Sequence, residues 1–357
     1  MLPQRRELPV VFRPQEGEAL SSWLARTGSV YRLDLGGLLS ECLGWTEILA
    51  ETIDVSHEPN QSADLCRLTR AEESIIRRCT LSGSYPQWIP DWVSRKKAHF
   101  HLNNRTTHLP DQSAFHVCMQ CLEDDLRRGD QFLRLAWLCA AVTICDKHHL
   151  PLWPVEQSLG SLQCIRNPSG ALFLFYVRHQ SRYSNRREDA AALRALCRFE
   201  QGLKLALDGQ PSGLFGLEGS AFIAVATDLI WALLQPAAGD GTRVAHHLQV
   251  DHFRVPQGWR TPYCLSTLSG LDMRFRQAIL ATIACLLLPF SFAELITSTS
   301  YFSRQRACAF LLELLGEENT CALLARAPRW PLIFRVRMGN AARALRPRPG
   351  GRSQSID

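Results

Sequence analysis

The sequence predicts a mainly α-helical protein in which helix-turn-helix-like helical domains flank a small ribbon organised by cysteine and histidine. Three observations carry this expectation. Apolar residues recur at helical spacing in the first hundred residues and again after about residue 160. Between those regions lie two turns of metal-ligand spacing, Cys118-Met119-Gln120-Cys121 and Cys145-Asp146-Lys147-His148. The longest apolar runs, Ala221 to Ile223 leading into Leu229 to Leu234 and Ile279 to Leu288, are interrupted or too short to cross a bilayer, so they read as buried helices. Met1 to Arg13 has no continuous apolar stretch ending in a small-residue cleavage site, and the expected location is cytoplasmic, with no membrane partner.

Residues 1–100 read as an N-terminal helical domain. Ala19 to Tyr31 places Leu20, Trp23, Leu24, Val30 and Tyr31 on one stripe, with Gly28 loosening its end. Asp34 is the expected N-cap of a second helix that buries Leu35, Leu38, Leu39, Cys42 and Leu43 and stops at Gly44 and Trp45. A third helix is expected from Thr69, where Glu72 completes a capping box, with Ile75, Ile76 and Cys79 inward and Arg70, Arg77 and Arg78 outward. Three short helices ending in a basic one have the shape of a helix-turn-helix domain. Two readings stand for Arg70, Arg77 and Arg78: phosphate contacts in a groove, or a solvated helix face.

Residues 101–155 form the expected metal module. A chain with 46% hydrophobic residues builds real cores, and most of its 13 cysteines sit among apolar residues as reduced core cysteines do. That leaves Cys118, Cys121, Cys145 and His148. Two ligands two residues apart on a tight turn both reach one ion, and a second such turn completes a tetrahedron of the zinc type. All four vertices are then protein donors, so one structural Zn2+ is expected and no activated water. His149 is an alternative to His148, while Cys139 fits a core position. The 23 residues between the pairs accommodate a helix from Leu122 to Gln131 and a strand from Leu133 to Ile144, a zinc-ribbon layout. His101, His108 and His116 are unpaired with any cysteine and are expected at the surface.

Residues 156–340 read as a C-terminal helical domain, with helical periodicity in Glu188 to Leu207, Ser220 to Leu234, Met273 to Leu288 and Arg304 to Leu315. Arg304 to Leu315 and Asn319 to Ala327, joined across Gly316, resemble a second helix-turn-helix pair. Arg326, Arg329, Arg335 and Arg337 follow closely and are nucleic-acid candidates, against the alternative of ordinary surface charge. Residues 341–357, rich in arginine, proline and glycine, read as a disordered basic tail. The net charge of +6 permits a nucleic-acid partner without requiring one. Phosphate-binding glycine loops, nucleophile elbows and HExxH are missing, and the acid pairs Asp124 with Asp125 and Glu317 with Glu318 are scattered, so no enzyme activity is expected.

Two stretches resemble the TniQ family, relatives of TnsD. The opening Leu8-Pro9 through Gly17-Glu18-Ala19-Leu20-Ser21-Ser22-Trp23-Leu24-Ala25-Arg26 is similar to the family's start. Cys118 to Asp125, then Phe132-Leu133-Arg134-Leu135-Ala136-Trp137, then Cys145 to Leu152 resemble its zinc region, with Met119 and Asp146 standing where proline is common. The resemblance covers roughly residues 8–155. It implies a non-enzymatic adaptor for target-site selection in DNA transposition, which recruits the transposition AAA+ ATPase and through it the transposase. Family members reach the site by binding target DNA directly or by docking on a CRISPR effector complex whose guide RNA reads the sequence. A homodimer is compatible with the family. The alternative is a sequence-specific transcription regulator built from the same parts.

Overall fold

The computed structural model describes residues 7–45, 53–55, 57, 59–86, 116–139, 141–154, 190–212, 218–234 and 273–287, with residues 172, 176, 177, 268, 322, 323, 325, 326 and 330. Among these the chain is mainly helical, and its one sheet is a two-stranded antiparallel pair. His101, His108, Arg304 to Leu315, Arg329, Arg335, Arg337 and the tail fall outside the described residues.

Helix α1 (Leu20–Val30) starts after Ala19, which has no side-chain acceptor to cap it. Its first amides are satisfied from far along the chain instead: Leu20 N donates to Cys79 O at 2.9 Å, and Ser21 N donates to Asp54 Oδ1 at 2.7 Å. The Ser21 hydroxyl donates to Asp54 Oδ2 at 2.6 Å. Glu18, Ser22 and Arg26 follow one face at steps of four, and Glu18 is fully buried. Arg26 grips it with two bonds of 2.8 and 2.7 Å, and Ser22 Oγ donates at 2.9 Å. Gly28 lies inside the helix rather than loosening its end, because the Leu33 carbonyl approaches so closely that a Cβ would meet it at 2.9 Å.

Helix α2 (Leu35–Leu43) follows the expected pattern. Asp34 Oδ1 accepts from Gly37 N at 2.7 Å, and Gly44 closes the helix at φ 69°, a left-handed cap that glycine adopts freely. The expected helix from Thr69 is corrected. Thr69 ends a preceding helix, α3 (Pro59–Thr69), where its hydroxyl donates to Leu65 O and accepts from Ala71 N, so no capping box forms. The next helix, α4 (Glu73–Arg78), is a short one followed by α5 (Leu81–Ser84). Arg70 sits between α3 and α4 at φ 56°, paired with Glu7 at 2.9 Å, and does not share a helix with Arg77 and Arg78.

Strands β1 (His116–Val117) and β2 (Trp153–Pro154) pair antiparallel and bracket the cysteine–histidine segment. Between them run α6 (Met119–Arg128) and a 3-10 turn at Leu135–Leu138. The expected strand from Leu133 to Ile144 is not formed among the described residues, whose apolar side chains enter a shared core from a 3-10 turn and loop rather than alternating across a sheet. The ribbon therefore reduces to β1, β2 and two isolated bridges, Glu18 with Arg134 and Ile144 with Pro151. His116, expected at the surface, is buried in β1, with its Nε2 at 3.2 Å from Arg276 Nη2.

The N-terminal helices and this segment are stitched by main chain: Ala19 N donates to Leu133 O at 2.9 Å, and Leu135 N donates to Gly17 O at 2.8 Å. Leu133 N also donates to Ser22 Oγ at 3.0 Å. Helices α7 (Ala190–Leu207), α8 (Gly219–Leu233) and α9 (Met273–Leu287) pack on one another, with Phe199 and Phe222 rings 5.4 Å apart. Among the described residues no helix is long and apolar enough to cross a membrane.

Burial raises the Asp54 carboxyl to about 6 despite the bonds from Ser21. The folded state thus holds this proton more tightly than the unfolded chain, and the associated stability is complete below about pH 4 and lost as pH rises through about 6. Between pH 4 and 7 the wild type should lose about 1–3 kcal/mol of unfolding free energy relative to Asp54→Asn, measured by denaturant titration. Glu18→Ala removes the buried partner of the half-buried Arg26 and should cost about 3 kcal/mol in the same assay.

Candidate metal centre

The first pair of donors belongs to a helix start. Cys118 is the N-cap of α6 in extended conformation, Leu122 N donates to Cys118 O at 3.0 Å, and Cys121 lies in the first turn. A helix N-terminus favours thiolate over thiol. The second pair sits on a hairpin. Leu152 N donates to Thr143 O at 2.8 Å, Cys145 N donates to Leu150 O at 2.9 Å, and His149 adopts φ 53° to turn the chain after His148. One knuckle is thus helical and the other a turn.

The donor atoms of Cys118, Cys121, Cys145 and His148 all lie within 4.8 Å of one another. His148 Nδ1 is 3.5 Å from Cys118 Sγ, 3.3 Å from Cys121 Sγ and 3.7 Å from Cys145 Sγ, and the Cys121 and Cys145 sulfurs are 3.6 Å apart. A tetrahedron with zinc bonds of about 2.3 Å to sulfur and about 2.0–2.1 Å to nitrogen has edges of about 3.8 and 3.6 Å. Those four edges of the cluster fall within a few tenths of an ångström of these lengths, and the cluster could hold one metal ion. The three cysteines are buried and His148 nearly so. Cys145 is held far below the ordinary thiol range by hydrogen bonds from the Cys118 and Cys121 thiols, while hydrogen bonding with Cys118 and Cys145 raises Cys121.

His149, the alternative ligand, faces elsewhere: its Nδ1 is 3.2 Å from Cys197 Sγ. Cys139 is buried in the core. Asp124, one turn into α6, places Oδ2 at 3.2 Å from His148 Nε2 and 2.5 Å from Lys147 Nζ. The Lys147 ammonium holds the Asp124 carboxyl below the usual carboxylate range. Asp124 therefore orients the imidazole so that Nδ1 meets the sulfurs, the arrangement that carboxylates commonly provide behind a metal-bound histidine. Arg134 pairs with both Asp125 oxygens at 2.7 and 2.9 Å and lies over the Phe132 and Trp137 rings, 4.4 and 4.8 Å from their centroids. Sequence reasoning missed the roles of Asp124, Asp125 and Arg134, although their positions within a helical turn of the first knuckle and beside Trp137 were in view.

The arginine candidates are more dispersed. Arg77 and Arg78 are exposed at the end of α4. Arg326 lies 3.1 Å from Asp228 Oδ1 and 3.9 Å from the Trp231 ring centroid, while Trp330 Nε1 donates to Asp228 Oδ2 at 2.7 Å.

Fold and cluster together define a mainly helical protein with a Cys3His cluster that could hold one metal ion. Residues 9–152 match the TniQ family model, a stretch that ends on the last residues of the second knuckle. The TniQ family is associated with DNA transposition. Comparison with curated proteins finds no match, and comparison with solved structures finds none. Asp124→Ala should weaken metal binding at this cluster by about 10–100-fold without unfolding α6, as read by competition with a chromogenic chelator.

Proposed function

We propose that this protein is a non-enzymatic, zinc-stabilised adaptor for target-site selection in DNA transposition, linking target DNA or a guide-RNA effector complex to the transposition AAA+ ATPase. The observation that carries this reading is the family match over residues 9–152, which contains all four donors of the cluster. The donor set supports zinc, since thiolate and imidazole in a four-donor cage suit that ion and leave no vertex for a reacting water. What zinc supplies there is cross-linking: it fixes the start of α6 to the hairpin at Thr143–Leu152. The residues that make up the rest of the motif, Glu18, Arg26, Asp125, Arg134 and Trp137, hold that platform together. Arg70, Arg77, Arg78, Arg326, Arg329, Arg335 and Arg337 remain proposals for phosphate contact.

Protein purified without chelator should carry one zinc per chain by metal analysis, lost in Cys118→Ser and Cys145→Ser. The wild type, and neither variant, should co-purify with the AAA+ ATPase of its own transposition system. Sequence-specific operator binding with no ATPase association would instead support a transcription regulator.

A further inference from the structure

The second knuckle is held by side chains that arrive from helices far along the chain. Glu200 of α7 accepts from the Thr143 amide with each carboxylate oxygen at 3.0 Å, from the Ile144 amide at 3.1 Å, and from the Thr143 hydroxyl. Gln277 of α9 donates through Nε2 to Thr143 O at 3.1 Å and to Leu152 O at 3.0 Å. These are the two ends of the hairpin that carries Cys145 and His148. Lys204 of α7 reaches Asp146 at 3.5 Å, and Cys197 of the same helix meets His149. Thr143 is fully buried, so none of its bonds is readily exchanged for water. A β-ribbon would satisfy such a knuckle with a neighbouring strand; here helix side chains do so.

We infer that Glu200 and Gln277 are positioning residues for the second knuckle, and that through them metal occupancy at Cys145 and His148 is coupled to the docking of α7 and α9, a coupling that rests on the metal reading above. Thr143 and Ile144 lead directly into Cys145, and a carboxylate that fixes both amides fixes where the cysteine sulfur points. A tetrahedral site tolerates little displacement of a donor. Binding that favours the docked helices must be favoured by them to the same degree, because linkage is reciprocal. Glu200 is the stronger of the two grips, gathering three donors on one carboxylate.

The test uses the full chain, with and without zinc, followed by hydrogen exchange and chelator competition. In the wild type, zinc should slow amide exchange across residues 190–207 by about tenfold or more, although none of these residues contributes a donor. Glu200→Gln should weaken zinc about tenfold, within the range seen for residues supporting metal ligands, and should reduce the zinc-dependent slowing by the same factor. The visible absorption of the cobalt-substituted protein should change in Glu200→Gln, because a misplaced Cys145 sulfur distorts the tetrahedron. Gln277→Ala provides the same measurements if Glu200→Gln does not fold. Zinc bound by the wild type with exchange over 190–207 unchanged, or with both variants within twofold in affinity, overturns the coupling alone. Absence of bound metal in the wild type overturns the metal reading and the coupling with it.

Discussion

Three buried sulfurs and one imidazole nitrogen are brought within 4.8 Å of one another, a cluster whose deprotonated form requires a cation at its centre. The elements around it are arranged to deliver those atoms. Helix α6 begins at Cys118 because the first knuckle is its N-terminus; the hairpin from Thr143 to Leu152 presents Cys145 and His148 at its tip; β1 and β2 clamp the ends of the segment. The N-terminal helices then cover this platform, with Glu18 buried against Arg26 and Ser22, and Ala19 bonded through main chain to Leu133.

The same site shows how polar groups are used inside this fold. Asp125 and Arg134 neutralise each other beside the cluster, with Arg134 flattened over two aromatic rings. Asp124 turns the His148 ring, and Lys147 in turn holds Asp124 across the two knuckles. Asp125 is buried and Arg134 largely so, and neither charge is left alone, which is what a low-dielectric interior demands; the Asp124–Lys147 pair lies nearer solvent.

What was legible in the sequence was local. Asp34 and Gly44 announce a helix because an N-cap and a left-handed C-cap depend on neighbours a few residues away, and the two ligand pairs announce a metal centre because each pair is a single turn. Where the competing structure was also local but its owner ambiguous, the reading failed: Thr69 could open one helix or close another, and the hydroxyl went to Leu65 behind it. The apolar run from Leu133 has no periodicity that separates a strand from a buried 3-10 turn. Long-range partners left no trace at all. Nothing near Ala19 shows that Asp54 and Cys79 complete its helix, nor does anything near His116 show that Arg276 covers it, since the partners are 160 residues apart. Glu18, Ser22 and Arg26 were the exception, a charged face at steps of four that could have been recognised as an internal network.

The placement of Cys118 at the N-cap of α6 makes the helix a lever. Ten residues at about 1.5 Å each put its far end about 15 Å from the knuckle, so a tilt of roughly 10° at the cluster sweeps that end by about 2.6 Å. Arg127 and Arg128 stand there, exposed, beside the Gly129 turn that closes the helix. The orientation of the first knuckle therefore sets where Arg127 and Arg128 meet solvent, and small distortions inside the platform become displacements on its surface large enough to make or break a hydrogen bond.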